Sequence, residues 1–124
     1  MSAAPQIAAP GKLCRILSLD GGGAKGFYTL GVLARVEAMF KGKPLCEEFD
    51  LIFGTSTGAI IAALIVFGYG IDEIHALYKK HVPAIMQARK PRAKSKALAK
   101  LTAEVFGNTK FDAVKTGVRI VTTK

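Results

Sequence analysis

The chain has 124 residues, of which 50% are hydrophobic, and its formal net charge is +9. This length suits one modest domain with a buried core, and the hydrophobic share excludes a largely disordered chain. Its two cysteines, Cys14 and Cys46, lack metal-ligand spacing, so we expect no disulfide framework and a reducing, cytoplasmic setting.

Residues 1–12 are expected to form a flexible leader, and residues 13–124 a single α/β domain. The leader lacks a basic segment followed by an apolar stretch, so it does not have the pattern of a signal peptide.

The first predicted element is a strand at Arg15–Leu19, which enters a glycine-rich loop at Asp20–Gly26. Four apolar residues at helical spacing follow the loop: Leu30, Leu33, Val36 and Phe40. They predict an amphipathic helix after the loop.

A second strand is predicted at Phe49–Phe53 and a helix at Gly58–Phe67. No charged residue occurs between Leu51 and Ile71, but the continuous apolar part is far shorter than the roughly 20 residues that a membrane-spanning helix needs. We therefore predict a buried helix packed between the sheet and other helices.

The second half of the chain begins with a helix that opens at Asp72 and that Pro83 is expected to end. The basic segment Gln87–Lys96 is predicted to be a loop because it contains Pro91. Two more elements follow, a helix with apolar residues at positions 98, 101 and 105 and a strand at Val118–Thr122.

The predicted order is β-α-β-α-α-α-β, which is typical of a mainly parallel sheet with right-handed crossovers. We expect three layers, with helices on both faces of the sheet. The last predicted strand either lies at an edge of the sheet or pairs with a further strand, and we expect the sheet to be incomplete.

The positive charge is concentrated in residues 79–100, which hold eight basic residues and no acidic one; ten basic and nine acidic residues lie elsewhere. The eight are Lys79, Lys80, Arg89, Lys90, Arg92, Lys94, Lys96 and Lys100. Such a patch can attract the phosphates of an anionic membrane, or it can be a solvated face that keeps the protein soluble. No nucleic-acid partner is expected.

A candidate nucleophile lies in Gly54-Thr55-Ser56-Thr57-Gly58, which matches G-x-S-x-G between a predicted strand and a predicted helix. The two glycines permit the sharp turn that exposes a serine hydroxyl. The helix behind Ser56 favours negative charge that develops at its N-terminus.

A serine nucleophile also needs a base and N–H donors that stabilise the oxyanion. The glycine-rich loop offers such donors at the end of the first strand: Gly21, Gly22, Gly23 and Ala24. Because each motif follows a strand, we expect the two motifs to meet at one place.

With both motifs present, the chain resembles the patatin-like phospholipase family from Arg15 onward. That family pairs a D-G-G-G-x-R-G loop with a G-x-S-x-G turn, and Asp20-Gly21-Gly22-Gly23-Ala24-Lys25-Gly26 and Gly54-Thr55-Ser56-Thr57-Gly58 match in that order. Lys25 stands where the family often has arginine, which keeps the charge but loses the planar fork.

The resemblance implies a Ser-Asp dyad whose aspartate lies in a later D-G-G or D-G-A motif. After Ser56 the chain has only Asp72 and Asp112, and glycine follows neither. We therefore expect this chain to be the N-terminal portion of such a domain and to be inactive alone, with the catalytic aspartate on further sequence or on another chain.

The resemblance also implies a lipid acyl hydrolase of phospholipase A or lysophospholipase type, with a membrane or micellar acyl lipid as substrate. Neither a metal nor a cofactor is required, and peripheral association with membranes is expected.

Several alternatives remain for these residues. His81 falls on the helix face that carries Ile74 and Tyr78, so we expect it to be packed or at the edge of that face, and we expect His75 to point off it. Action of either histidine as the base for Ser56 is the less favoured alternative, and Asp20 is expected to hold the loop. The loop also satisfies G-x-G-x-x-G, the dinucleotide-binding pattern, although the nearby acid, Asp50, is at the start of the next strand instead of its end. A phosphate-binding P-loop fits less well because Phe27 and Tyr28 follow Gly26. The third alternative is a non-catalytic fragment.

Overall fold

The sheet in this computed structural model, which describes Gly11 and residues 13–122, has three parallel strands. They are β1 (Ile16–Leu19), β2 (Leu51–Thr55) and β3 (Gly117–Val121), in the order β1-β2-β3. The register pairs Leu19 with Gly54 and Gly54 with Ile120, so the three strands end level with one another. Segments that follow β1 and β2 therefore leave the same edge of the sheet.

The described residues also form five α-helices: α1 (Gly26–Met39), α2 (Leu45–Glu48), α3 (Thr57–Val66), α4 (Ile71–Gln87) and α5 (Pro91–Val105). Short 3₁₀ turns lie at Gly23–Lys25 and Phe111–Ala113. The predicted order of strands and helices is confirmed, with α2 as an additional short helix that the sequence pattern did not indicate.

The core forms where α3 lies against the sheet and α4 crosses α3 and α1. The fully buried side chains include Ile61, Leu64 and Ile65 of α3 and Ile74 and Val82 of α4. Burying a side chain of this size contributes roughly 1.5 to 3 kcal/mol, so these two helices carry much of the hydrophobic stabilisation. The prediction that α3 is a buried helix is confirmed. No helix in the described part of the chain is long and apolar enough to cross a bilayer.

The two faces of the sheet differ in their covering. Ile52 and Gly54 lie on the face that α3 covers, since a Cβ at Gly54 would lie 2.7 Å from the Cα of Ala59. On the opposite face, Ile16 and Val121 are 53% and 57% exposed. The predicted α/β fold with a parallel, incomplete sheet is confirmed, while the described residues supply helices for one face.

The predicted effects of Pro83 and Pro91 on the helices were both wrong. The predicted end of the helix at Pro83 is wrong, because α4 continues to Gln87 and buries Val82 and Ile85 on either side of the proline. The predicted loop at Gln87–Lys96 is wrong from Pro91 onward, because Pro91 occupies the first turn of α5. A proline there loses no intrahelical hydrogen bond.

Smaller differences affect the remaining elements. Strand β2 begins at Leu51, two residues later than predicted, so Gly54 and Thr55 belong to the strand itself. The predicted strands before the loop and near the end of the chain are confirmed as β1 and β3. Of the predicted leader, residues 1–12, only Gly11 lies within the described residues.

Both cysteines are free. Cys14 is exposed, and burial raises the pKa of the Cys46 thiol.

Candidate active site

Ser56 is the single residue between β2, which ends at Thr55, and α3, which begins at Thr57. Its backbone has φ 53° and ψ −129°, a conformation that side-chain-bearing residues rarely adopt and that costs about 1 to 3 kcal/mol. The residue is exposed. The turn therefore holds Ser56 above the edge where the strands end, with the N-terminus of α3 directly behind it.

Gly54 and Gly58 are required because the strand, the helix and the neighbouring strand approach one another closely here. A Cβ at Gly54 would lie 2.5 Å from the carbonyl oxygen of Gly58, and a Cβ at Gly58 would lie 2.5 Å from the carbonyl oxygens of both Leu19 and Asp20. These are backbone atoms, which cannot rotate away. The two glycines therefore allow α3 to start immediately behind Ser56.

The glycine-rich loop contacts the serine turn. A Cβ at Gly21 would lie 2.7 Å from the Cβ of Ser56 and 3.4 Å from its Oγ. Gly22 and Gly23 have φ of 149° and 58°, and Lys25 N–H donates to the Gly22 carbonyl at 3.1 Å. The structure thus brings the two predicted motifs together through a loop conformation that favours glycine.

Two hydrogen bonds tie the loop to its neighbours. The Gly23 N–H donates to Oγ1 of Thr57 at 3.1 Å, and the hydroxyl of Tyr78 on α4 donates to the Gly23 carbonyl oxygen. Both contacts are buried. The Gly23 amide, a predicted oxyanion donor, is therefore already engaged by the residue that follows the serine. The sequence pattern indicated neither side-chain contact.

The other residues of the loop motif differ in their surroundings. Asp20, Ala24 and Lys25 are exposed, whereas Gly26 is buried where α1 begins. A Cβ at Gly26 would overlap the hydroxyl of Tyr78. Tyr78 therefore lies against both Gly23 and Gly26.

Neither histidine is placed to act on Ser56. His81 is buried, and its Nε2 lies 3.3 Å from Oε2 of Glu104 on α5, which confirms that this side chain is packed. The ring of the exposed His75 contacts Phe27 edge to face.

Glu104 also pairs with Lys80 on α4. The Lys80 ammonium donates a hydrogen bond to the Glu104 carboxylate and holds the pKa of this carboxyl below its usual value.

Within residues 13–122, no side chain forms a hydrogen bond with the Ser56 hydroxyl. The same part of the chain contains no group of three or more histidine, cysteine or acidic side chains that could hold a metal ion.

Two concave regions lie along the sheet and α3. An apolar groove of about 390 Å³ runs between α3, α5 and β3, and a smaller cavity of about 210 Å³ lies at the strand ends. The groove is lined mainly by aliphatic and aromatic side chains, among them Ile60, Phe67, Leu101, Phe106 and Ile120. The smaller cavity is lined by residues at the ends of all three strands, including Thr55 of β2 and Val121 of β3, and by Asp20, which follows β1. The smaller cavity reaches the serine turn at Gly54 and Thr55, whereas the apolar groove begins at Ala59, in the first turn of α3.

All eight basic residues between positions 79 and 100 are exposed. Lys79 and Lys80 lie on α4, Arg89 and Lys90 lie between the helices, and the others lie on α5. On α5 they accompany Leu101, which is buried toward the groove. This helix therefore has an apolar inner side and a basic outer surface.

A family model described as patatin-like phospholipase matches residues 17–124. The chain is 59% identical over 112 residues to a cUMP-AMP-activated phospholipase of Escherichia coli, an alignment that covers 90% of this chain and 35% of the relative. It is 33% identical over 132 aligned positions to a cGAMP-activated phospholipase of Vibrio cholerae, covering 87% of this chain and 37% of the relative.

The similarity extends to a plant protein. The chain is 39% identical over 101 residues to phospholipase A I of Arabidopsis thaliana, covering 74% of this chain and 8% of the relative. The chain thus spans about a third of the length of the two bacterial relatives and a small part of the plant protein.

Proposed function

Because the chain belongs to the patatin-like phospholipase family, we propose that it supplies the nucleophile and oxyanion loop of a lipid acyl hydrolase. The observation that carries this proposal is the strained backbone of Ser56, at φ 53°, in contact with the glycine-rich loop. Such strain is maintained only where the surrounding structure enforces it, and it is concentrated at functional sites.

In the proposed reaction, the Ser56 Oγ attacks the carbonyl carbon of a lipid acyl ester and forms a tetrahedral oxyanion. An aspartate outside this chain accepts the serine proton and returns it to the leaving alcohol. Water then attacks the acyl-serine, releases the fatty acid and restores the hydroxyl. This sequence of steps requires no metal.

The oxyanion is stabilised by backbone N–H groups of the loop and of the N-terminus of α3. The amides of Gly21, Gly22 and Ala24 are the loop donors, since the Gly23 amide is engaged by Thr57. The first N–H groups of a helix have no intrahelical acceptor, so the Thr57 amide is a further donor. Loss of one such donor typically costs about 3 to 4 kcal/mol of transition-state stabilisation.

The apolar groove and the cavity at the strand ends support an acyl lipid as substrate. An acyl chain gains about 0.8 kcal/mol for each CH₂ group that leaves water.

A nicotinamide dinucleotide is the alternative ligand of the glycine-rich loop, and it is less well supported. The acid that would bind its ribose should follow the second strand, but Asp50 precedes β2, and its Oδ2 accepts the Arg15 backbone N–H at 2.8 Å. Saturable binding of NADH to the protein would favour that alternative.

We expect the basic surface of residues 79–100 to attract anionic membranes. Replacing Arg92, Lys94 and Lys96 with glutamine should weaken binding to phosphatidylserine vesicles by roughly fivefold per charge, since each contributes about 1 kcal/mol near such a surface. Binding of the unaltered protein should also fall as the salt concentration rises. Co-sedimentation with vesicles measures both effects.

The matched control replaces Lys41, Lys43 and Lys110, three exposed basic residues outside this surface, with glutamine. Vesicle binding that is insensitive to salt, or that both sets of substitutions weaken equally, would contradict a specific role for residues 79–100 and would leave the solvated-face alternative.

We further infer that the full-length protein carrying this chain is activated by a cyclic dinucleotide, because the two bacterial relatives are named for such activation. Allosteric coupling of this kind typically amounts to 5- to 150-fold. Fatty-acid release from phospholipid vesicles should therefore rise by at least about fivefold with cUMP-AMP or cGAMP. The measurement compares both ligands with a linear dinucleotide.

The same assay tests the hydrolase proposal. The full-length protein should release fatty acid, whereas the 124-residue chain alone should not, because the proposed aspartate lies outside it. Release without any dependence on a cyclic dinucleotide would remove the regulatory proposal and leave the hydrolase intact. Absence of release under all conditions would favour the non-catalytic alternative.

A further inference from the structure

The Gly23 residue of the glycine-rich loop is held by side chains on both sides. Its N–H donates to Oγ1 of Thr57, and its carbonyl oxygen accepts the hydroxyl of Tyr78. Thr57 lies next to Ser56 in sequence, whereas Tyr78 lies 55 positions from Gly23, on α4. One loop residue thus connects the serine turn to α4.

These contacts determine the direction of the neighbouring peptide group. In a trans peptide the carbonyl and the following N–H point in opposite directions. The carbonyl of Gly23 points toward Tyr78, so the N–H of Ala24 points away from α4. Together with the Gly26 N–H, which also donates to the Gly23 carbonyl, the two flanking contacts orient an amide that we assign to the oxyanion.

Glycine conformation alone would not hold this orientation. Gly22 and Gly23 adopt positive φ without a side chain that restricts them. Within the loop, the Lys25 N–H donates to the Gly22 carbonyl and the Gly26 N–H to the Gly23 carbonyl, so the Tyr78 hydroxyl is a second donor to the Gly23 carbonyl. Tyr78 itself is held firmly, because it is 1% exposed and its ring packs edge to face on Phe27 at 4.9 Å. Met86, two turns further along α4, covers Gly23, where an added Cβ would lie 2.7 Å from its Cε.

We propose that Tyr78 and Thr57 are positioning residues that hold the glycine-rich loop with its free amides directed at the oxyanion of the Ser56 reaction. The inference rests on the proposed hydrolase function and assigns to α4 a part in catalysis that its sequence does not indicate. Neither side chain touches the reacting atoms in this role.

The test uses the full-length protein with three substitutions. Tyr78→Phe removes the hydroxyl and keeps the ring, Thr57→Val removes the hydroxyl and keeps the shape, and Thr57→Ser keeps the hydroxyl. We expect Tyr78→Phe and Thr57→Val each to lower kcat on the order of 10- to 100-fold, with KM nearly unchanged. Thr57→Ser should retain kcat within about twofold, because the acceptor of the Gly23 N–H remains.

Two matched variants control for lost buried hydroxyls. Tyr69→Phe removes a hydroxyl that donates to the Val105 carbonyl, and Thr116→Val removes one that donates to the Phe49 carbonyl, both away from the loop. Thr116 and Thr57 are equally buried, at 6% exposure, so their valine variants should lose similar stability. Only Thr57→Val should lose kcat.

The outcomes separate this inference from the hydrolase proposal. If Ser56→Ala abolishes activity while folded Tyr78→Phe and Thr57→Val keep the full kcat, the positioning roles are wrong. A rise in KM alone, or an equal loss of kcat in the control variants, overturns them as well. If Ser56→Ala keeps full activity, the hydrolase proposal itself fails. If Tyr78→Phe does not fold, the kcat of Thr57→Val compared with that of Thr57→Ser tests the positioning role.

Discussion

Replacement of Ser56 with alanine in the full-length protein is expected to lower fatty-acid release by a factor on the order of 10⁴ to 10⁶. The substitution removes the hydroxyl oxygen that attacks the ester and forms the acyl-enzyme in the proposed reaction. Because alanine also carries a Cβ, it bears the same backbone strain at φ 53°, and the free energy of unfolding should change by less than about 0.5 kcal/mol. Initial rates on phospholipid vesicles and urea denaturation measure the two quantities.

Ser95→Ala is the matched control, since Ser95 is an exposed serine on α5. It should leave both the rate and the stability unchanged. Equal fatty-acid release by the unaltered protein and by Ser56→Ala would show that Ser56 is not the nucleophile. The family membership would then stand without this assignment of chemistry.

Replacement of Gly58 with alanine is expected to lower the free energy of unfolding by about 2 to 3 kcal/mol. The added Cβ would lie 2.5 Å from the carbonyl oxygens of Leu19 and Asp20. Since neither oxygen can move without displacing the end of β1, the N-terminus of α3 must shift away from the sheet. Ser56 would shift with it, so the rate of hydrolysis should fall as well. Urea denaturation of the full-length protein measures the loss of stability.

Gly31→Ala controls for the loss of glycine. Gly31 lies inside α1, and a Cβ there would meet nothing within 4 Å. Alanine at an open helical position should raise the free energy of unfolding by roughly 0.5 to 1 kcal/mol. If Gly58→Ala were as stable as Gly31→Ala, the close approach at the serine turn would be absent in solution.

The strands and the two glycine motifs could be predicted because their causes are local. A run such as Ile16–Leu19 is apolar enough to be buried in a sheet, and glycine is favoured where φ is positive or two backbones approach closely. The order of the elements then requires parallel strands, which place both motifs at one edge of the sheet. The sequence therefore predicts that the loop and Ser56 lie close together.

The prolines show where local signals were insufficient. Pro83 and Pro91 have the same restriction on φ, yet the first lies inside α4 and the second begins α5. Burial of Val82 and Ile85 stabilises the helix around Pro83 in spite of the lost hydrogen bond. Whether a proline ends, begins or interrupts a helix thus depended on what its neighbours pack against.

The sequence by itself predicted the family, the parallel arrangement and the proximity of the two glycine motifs, because apolar runs and glycines at strand ends are constraints on adjacent residues. Only the tertiary structure decided that Ser56 is strained, that Thr57 engages the Gly23 amide and that Tyr78 holds the Gly23 carbonyl. These contacts join residues 34 and 55 positions apart. Such pairs meet only after the sheet and helices have packed, so no local pattern of residues encodes them.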